Sequence, residues 1–263
     1  MARLIWDAVG ERFYYTGLDR GVLYVADADG VPWSGLISID ESPSGGGARP
    51  FYIDGVKYLN LSASEEFQAT INAYTYPDEF GECDGTVAVR DGMFLTQQPR
   101  QEFGLSYRTL IGNDVDGLDL GYKIHIVYNA LAAPSQWVNK TIDNSVAPST
   151  FTWDLTTRPP DITGYKLSSH VILDSRDLQQ EHLDFIEDIL YGNEVDAARL
   201  PTFDEIITIL DTDMGFVVTD NGDGTWTAVG DASYISMISA DTFQITSSTA
   251  VPIDADTYTL SSL

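Results

Sequence analysis

Leu105–Tyr128 reads LSYRTLIGNDVDGLDLGYKIHIVY. It divides into two alternating stretches around an acidic, glycine-marked centre. In the first, Leu105, Tyr107, Thr109 and Ile111 alternate with Ser106, Arg108 and Leu110. In the second, Tyr122, Ile124, Ile126 and Tyr128 alternate with Lys123, His125 and Val127. A period of two places each set on one face of a strand. Gly112, Asn113, Asp114, Asp116, Gly117 and Gly121 supply the turn, because these residues accept positive φ or bond their own backbone. The spacing predicts a hairpin packed on one side, which demands a second sheet or a neighbouring subunit.

Working outward, Arg3–Val25 contains two short β-rich runs, RFYYTG and GVLYVA, separated by Gly17 and Gly21. Glu41–Pro50 holds Gly45-Gly46-Gly47 between prolines and reads as a flexible loop, either plain surface or a segment that orders on assembly. Lys57–Tyr76 is the longest strand expected. Its Phe67, Ala69, Ile71 and Ala73 face a core, and Glu66, Gln68, Thr70 and Asn72 face water. Tyr76–Gln98 is broken by Pro77, Gly81, Gly85 and Gly92, so it reads as a hairpin excursion or a binding loop. Ser149–Thr157 and Tyr165–Leu173 alternate again and are expected as strands. Gln180–Tyr191 is expected as a helix, with Leu183, Ile186, Ile189 and Leu190 on one side and Gly192 at its C-terminal end. Thr202 and Glu205 form a capping-box pattern, and the β-branched run Ile206–Leu210 leaves helix and strand both open. Residues 211–263 look separable from 1–210: a small C-terminal β module with a hairpin in GFVVTDNGDGTWTAVG and short strands at Tyr234–Ile238, Thr242–Ser247 and Thr257–Leu260.

The totals narrow the function. Of 263 residues, 43% are apolar, so the chain has enough to bury a core. Tyr, Thr and Val are plentiful, which favours a mainly β fold. The formal net charge of −26 opposes tight binding to phosphate backbones or anionic membrane surfaces. All 14 Lys and Arg lie at or before Arg199. No apolar run approaches the length of a membrane span. Asp7, Glu11 and Arg12 interrupt the opening MARLIWDAVGERF, so no signal-peptide core is expected and assembly in a cytoplasm is inferred. Cys83, the single cysteine, permits no intrachain disulfide.

Catalytic readings have little to stand on. With 40 Asp and Glu, chance carboxylate pairs are expected everywhere, and no nucleophile-elbow motif is present. His125 and His170 are read as surface or interface histidines and His182 as the solvent side of a helix. Asp114, Asp116 and Asp119, or Asp220 and Asp223, lack EF-hand spacing and are explained by turns. There is no P-loop, dinucleotide fingerprint or zinc spacing. No enzyme, cofactor or metal is expected.

The strings FQATINAYTYPDEFGEC (Phe67–Cys83), QPRQEFGLSYRTLIGND (Gln98–Asp114), GYKIHIVYNALAAPS (Gly121–Ser135), EDILYG (Glu187–Gly192) and Arg199-Leu200-Pro201 occur in order. Together they resemble the major tail tube protein of long-tailed phages with non-contractile tails, closest to those of actinobacterial hosts. NGDGTW (Asn221–Trp226) and DTYTLSS (Asp256–Ser262) resemble an appended module of some of these proteins. The resemblance implies a β-sandwich with one flanking helix that forms hexameric rings. It implies rings stacked into a virion tail tube whose inner wall is a continuous barrel, assembled in the host cytoplasm. It further implies partners: sister copies, the tape-measure protein, tail terminator and distal tail proteins, and DNA in passage without specific binding. In this reading Glu66, Gln68, Thr70 and Asn72 are candidates for the lumen, with the Lys123/His125 face as the alternative wall. Ser44, Gly45, Gly46, Gly47, Asp78 and Glu79 are candidates for inter-ring contacts, and the C-terminal module sits outside the tube. Two rivals are a different virion protein (head decoration or tail terminator) and a sugar-binding β-sandwich module. The rows of exposed aromatics that the sugar reading needs are not evident, since Trp33, Trp137, Trp153 and Trp226 lie in separate segments.

Overall fold

A computed structural model of the chain describes residues 5–26, 28–62, 64–141 and 148–211, and the backbone of four further strands between 216 and 245. In chain order the strands of the main part are β1 (Tyr14–Val25), β2 (Val31–Pro32), β3 (Leu36–Glu41), β4 (Ser44–Gly45), β5 (Ala48–Ile53), β6 (Val56–Ser62), β7 (Glu65–Glu66), β8 (Gln68–Ala73), β9 (Val87–Arg90), β10 (Met93–Leu95), β11 (Phe103–Asn113), β12 (Gly117–Ala132), β13 (Phe151–Thr157) and β14 (His170–Asp174). The helices are α1 (Phe80–Cys83), α2 (Gln180–Tyr191) and α3 (Phe203–Asp211).

The protein is mainly β. One antiparallel sheet runs β2-β1-β11-β12-β13-β8-β3, and β14 also pairs with β12. The expected central hairpin is β11–β12, in register Leu105↔Val127, Tyr107↔His125 and Thr109↔Lys123. Both of its faces are buried, so the one-sided packing expected from its alternation is incomplete. On one side Tyr24, Ile124, Ile126 and Tyr128 meet Leu183, Ile186, Leu190, Ile206 and Ile209 of α2 and α3. On the other, Leu105, Tyr107 and Val127 join Leu23, Trp33, Ile71, Phe80, Trp153 and Leu155. The sheet curls to enclose this second core, as in a sandwich made from one sheet. Its two ends approach each other: the Leu36 side chain lies against Gly21, and the Tyr107 hydroxyl donates to Glu41 at 2.7 Å.

The helices follow their sequence signals. α2 spans the expected residues, and Gly192 takes φ 78° just after it, a left-handed value that glycine adopts readily. The capping box forms, with Glu205 N–H donating to Thr202 Oγ1 at 3.2 Å and Thr202 N–H to Glu205 at 3.4 Å. Ile206 and Ile209 then dock on the core, so the ambiguous run is helical and the single flanking helix expected has a second beside it. His182 is buried rather than solvent-facing, because it adjoins the apolar stripe at Leu183 and Ile186.

Three segments differ from expectation. Lys57–Tyr76 is not one strand. Only Gln68–Ala73 lies over the core, where Ala69, Ile71 and Ala73 are buried; β6 and β7 belong to a different ribbon. Glu41–Pro50 is not a simple loop, since it enters that ribbon as β4 and β5. Of Tyr165–Leu173, only the end is strand; Tyr165 and Leu167 stay exposed, Tyr165 with one ring edge against Phe203. Tyr76–Gln98 resolves into α1 and the β9–β10 hairpin. In the C-terminal part, β15 (Phe216–Asp220) pairs with β16 (Trp226–Gly230), and β17 (Ile235–Ser239) with β18 (Thr242–Ile245). The turn at 221–225 and the strand expected at Thr257–Leu260 lie outside the described residues.

Trp153 is fully buried and contacts the rings of Trp33, Phe80 and Tyr76. Trp153→Ala is expected to cost roughly 3–5 kcal/mol in chemical denaturation. Phe51→Ser, on the ribbon, is expected to change monomer stability by no more than about 0.5 kcal/mol; equal losses at both positions would show that the ribbon belongs to the monomer's core.

Candidate functional site

A two-stranded arm stands out from the main sheet. Beyond the Glu41↔Ala69 pair of the main sheet, the chain continues antiparallel through Ser44↔Glu66 and Gly45↔Glu65. From there it runs from Ala48↔Ser62 to Ile53↔Val56. Asp54 and Gly55, at φ 50° and 77°, close the tip as a two-residue turn with both residues left-handed. Gly45, at φ 89°, sits where an added Cβ would lie 2.4 Å from the Ser64 carbonyl oxygen, so the arm's root needs glycine there. Every residue of β5 and β6 is exposed, including Phe51, Tyr52, Ile53, Val56, Tyr58, Leu59 and Leu61. A lone two-stranded ribbon is marginal in water, and both edges of this one lack a strand partner among the described residues. The sequence signal that marks it is Asp54-Gly55 between β-rich runs.

A second ribbon, β9–β10, exposes Val87, Val89, Met93, Phe94 and Leu95. The N-terminal segment exposes Ile5, Trp6, Val9 and Phe13. Exposed apolar side chains grouped on short ribbons are a mark of interaction surfaces. The inter-ring candidates divide between these features. Ser44, Gly45, Gly46 and Gly47 form the arm's root, whereas Asp78 and Glu79 lead into α1 at the start of the β9–β10 excursion.

The lumen candidates also divide. Gln68, Thr70 and Asn72 share the outward face of β8. Asn72 donates to Ser38 Oγ and to Asp40, each at 3.0 Å, and accepts from Thr152 at 2.8 Å. Thr70 donates to Asp154 at 2.7 Å. Three strands, β3, β8 and β13, thus present one hydrogen-bonded, uncharged-to-acidic face. Glu66 is not on it. It lies on β7 opposite Ser44, because regular pairing with the core sheet ends before Phe67. The alternative wall at Lys123 and His125 is covered in the monomer. Lys123 Nζ lies 4.7 Å from the Tyr15 ring centre and 3.6 Å from Asp174, and His125 is buried.

His125 and His170 are brought together, which sequence separation hides. Tyr107 stacks on His125 at 4.6 Å, and His125 Nδ1 lies 3.1 Å from His170 Nε2. Burial pushes the His125 imidazole down to about 4 and lowers that of His170. The acidic turn needs no ion: Asn113 accepts from Val115 N–H and donates to Asp116, and Asp114 accepts from Gly10 N–H. Cys83 is buried, and burial pushes its thiol up to about 12. Trp33 and Trp153 are core residues, which removes them from any sugar-binding face.

No family model matches the chain, and no curated protein matches it. Among solved structures, the anti-feeding prophage baseplate (6-fold symmetrised) has a chain 12% identical, TM-score 0.32, covering 65% of this chain and 97% of that one. The sheath–tube complex of the extracellular contractile injection system PVC, in its extended state, gives 15% identity and TM-score 0.29, covering 59% and 88%. The tube-terminating cap of the anti-feeding prophage gives 12% identity and TM-score 0.29, covering 66% and 97%.

The β12–β14 seam carries a charge pair that titrates. Hydrogen bonds from Arg176 hold the Asp174 carboxyl down to about 2. The unfolded chain therefore takes up this proton first as pH falls. The stability that Asp174 contributes is complete above the ordinary carboxyl value of about 3.9 and is lost as pH falls through about 2. Denaturation midpoints measured from pH 5 downward should fall less steeply in Asp174→Asn than in the parent; parallel slopes would show that Asp174 does not carry the effect.

Proposed function

We propose that this chain is a structural subunit of a phage-type tail tube, which sister copies complete by covering its two apolar ribbons. The observation that carries the reading is the arm: β5 and β6 are fully exposed, largely apolar and, among the described residues, free at both edges. An edge of this kind is a template for strand pairing, and a head-to-tail contact that closes makes a ring. The ordered sequence strings that resemble tail tube proteins support the same reading. In it, hexameric rings stack through the arm's root and the β9–β10 region, and the arm orders further on assembly. The polar face of Gln68, Thr70 and Asn72, extended by Ser38, Asp40, Thr152 and Asp154, lines the bore. Its mild negative charge is screened beyond about 8 Å in physiological salt, so DNA passes without adhering. The tape-measure protein fills the bore during assembly, terminator and distal tail proteins close the ends, and the tube forms in the host cytoplasm as part of a non-contractile virion tail. The protein performs no catalysis in this role.

Negative-stain microscopy of the concentrated, purified chain is expected to show rings or hollow tubes. Isolated particles at every salt and protein concentration would sink the reading. Discs that never elongate would favour a terminator or decoration protein, and a hit in a glycan screen would favour the sugar-binding module. Deleting Ser44–Ala48 is expected to leave a folded monomer that forms no tubes. Truncation after Leu210 is expected to leave tube formation intact, because the C-terminal module lies outside the wall; loss of all assembly would remove that placement.

A further inference from the structure

The root of the arm carries a cluster that the tube reading does not use. Glu41 ends β3, His125 lies in the middle of β12 and His170 opens β14. His125 Nδ1 lies 3.1 Å from His170 Nε2 and 3.3 Å from Glu41 Oε1, and one donor atom from each of the three residues falls within 4.8 Å of the others. Four donors about 2.0–2.1 Å from a tetrahedral ion sit about 3.3 Å from one another. Two of the three separations already have that size.

The surroundings suit a metal. Thr109 Oγ1 lies 3.0 Å from His125 Nε2. A proton on Nε2, donated to that hydroxyl, leaves the Nδ1 lone pair directed at the cluster, the orienting contact that metal-bound histidines use. The Tyr107 hydroxyl donates to Glu41 Oε1 and fixes the carboxylate. Tyr107 stacks on His125, and the Phe67 ring lies 4.4 Å from that of His170. His125 is buried, whereas His170 and Glu41 are partly open, so an ion has an approach and His170 has room to turn.

We propose that Glu41, His125 and His170 form a binding site for a borderline divalent cation of the zinc type, with water in the fourth position. Two imidazoles and one carboxylate select this class over magnesium or calcium, which take oxygen donors. The ion would tie the end of β3 to β12 and β14, fixing the direction in which the arm leaves the body. The site is independent of the assembly reading, since it concerns the monomer.

The test uses the full-length chain stripped with chelator. Isothermal titration with Zn²⁺ is expected to give one site per chain, unaffected by millimolar Mg²⁺. Co²⁺ is expected to give the visible bands of a low-symmetry nitrogen–oxygen site. Glu41→Gln and His170→Gln, both at partly open positions, are each expected to weaken Zn²⁺ binding by at least about tenfold, with far-ultraviolet circular dichroism unchanged. His125 is left intact because its buried ring supports Tyr107. Zn²⁺ binding equal in the parent and both variants, no Zn²⁺ binding by the parent, or a thiolate-to-cobalt charge-transfer band placing the ion on Cys83 would each overturn the proposal.

Discussion

One strand serves three partners. β12 gives one edge to β11 along most of its 16 residues. Its other edge goes first to β14, at Lys123–Val127, and then to β13, at Ala130–Ala132. The change of partner occurs at Asn129, whose φ of 47° breaks the extended backbone. Asn129 spans the break with its amide donating to the Arg158 carbonyl and its own carbonyl accepting from Arg158 N–H. Before this point the sheet is backed by helices; after it, the sheet turns over through β13, β8 and β3. Curl, second core and arm all depend on that exchange.

Burial of the central strands on both faces is made tolerable by satisfied hydroxyls. Tyr24 donates to the Leu190 carbonyl at 2.7 Å and lies 3.0 Å from Ser106 Oγ. Tyr128 donates to the Pro201 carbonyl at 3.0 Å. Each phenol carries a large apolar ring into the helix–sheet layer while its polar tip finds a backbone acceptor. The same contacts fix α2 and the segment before α3 to the sheet.

The proposed assembly would use what folding leaves undone. Among the described residues of the main part, the strands above the two cores are paired, and two apolar ribbons have no further strand partner. The monomer also builds a polar face across β3, β8 and β13 whose groups bond one another rather than waiting for a specific ligand. In the proposed tube, such a face would serve as a conduit wall, because its groups already bond one another. The ribbons are the reverse, apolar and demanding of partners. The polar face and the arm belong to one pair of chain segments, since β3 and β8 lead into the arm, whereas β9–β10 is a separate hairpin.

Local chemistry alone settled much of this protein. Alternation in Leu105–Tyr128 gave the central hairpin, the 3.6-residue period of Gln180–Tyr191 with Gly192 gave α2, and Thr202 with Glu205 gave the start of α3. These signals are carried by neighbours in sequence, so they survive without knowledge of the fold. Tertiary structure alone decided that the hairpin is buried twice, because alternation reports which residues share a face and not what covers it. It also separated Glu66 from Gln68, Thr70 and Asn72, since a strand's parity does not say where its pairing ends. And it joined Glu41, His125 and His170, residues on three strands that no spacing rule connects, because β12 pairs directly with β14 and the curl of the sheet brings the end of β3 up to them.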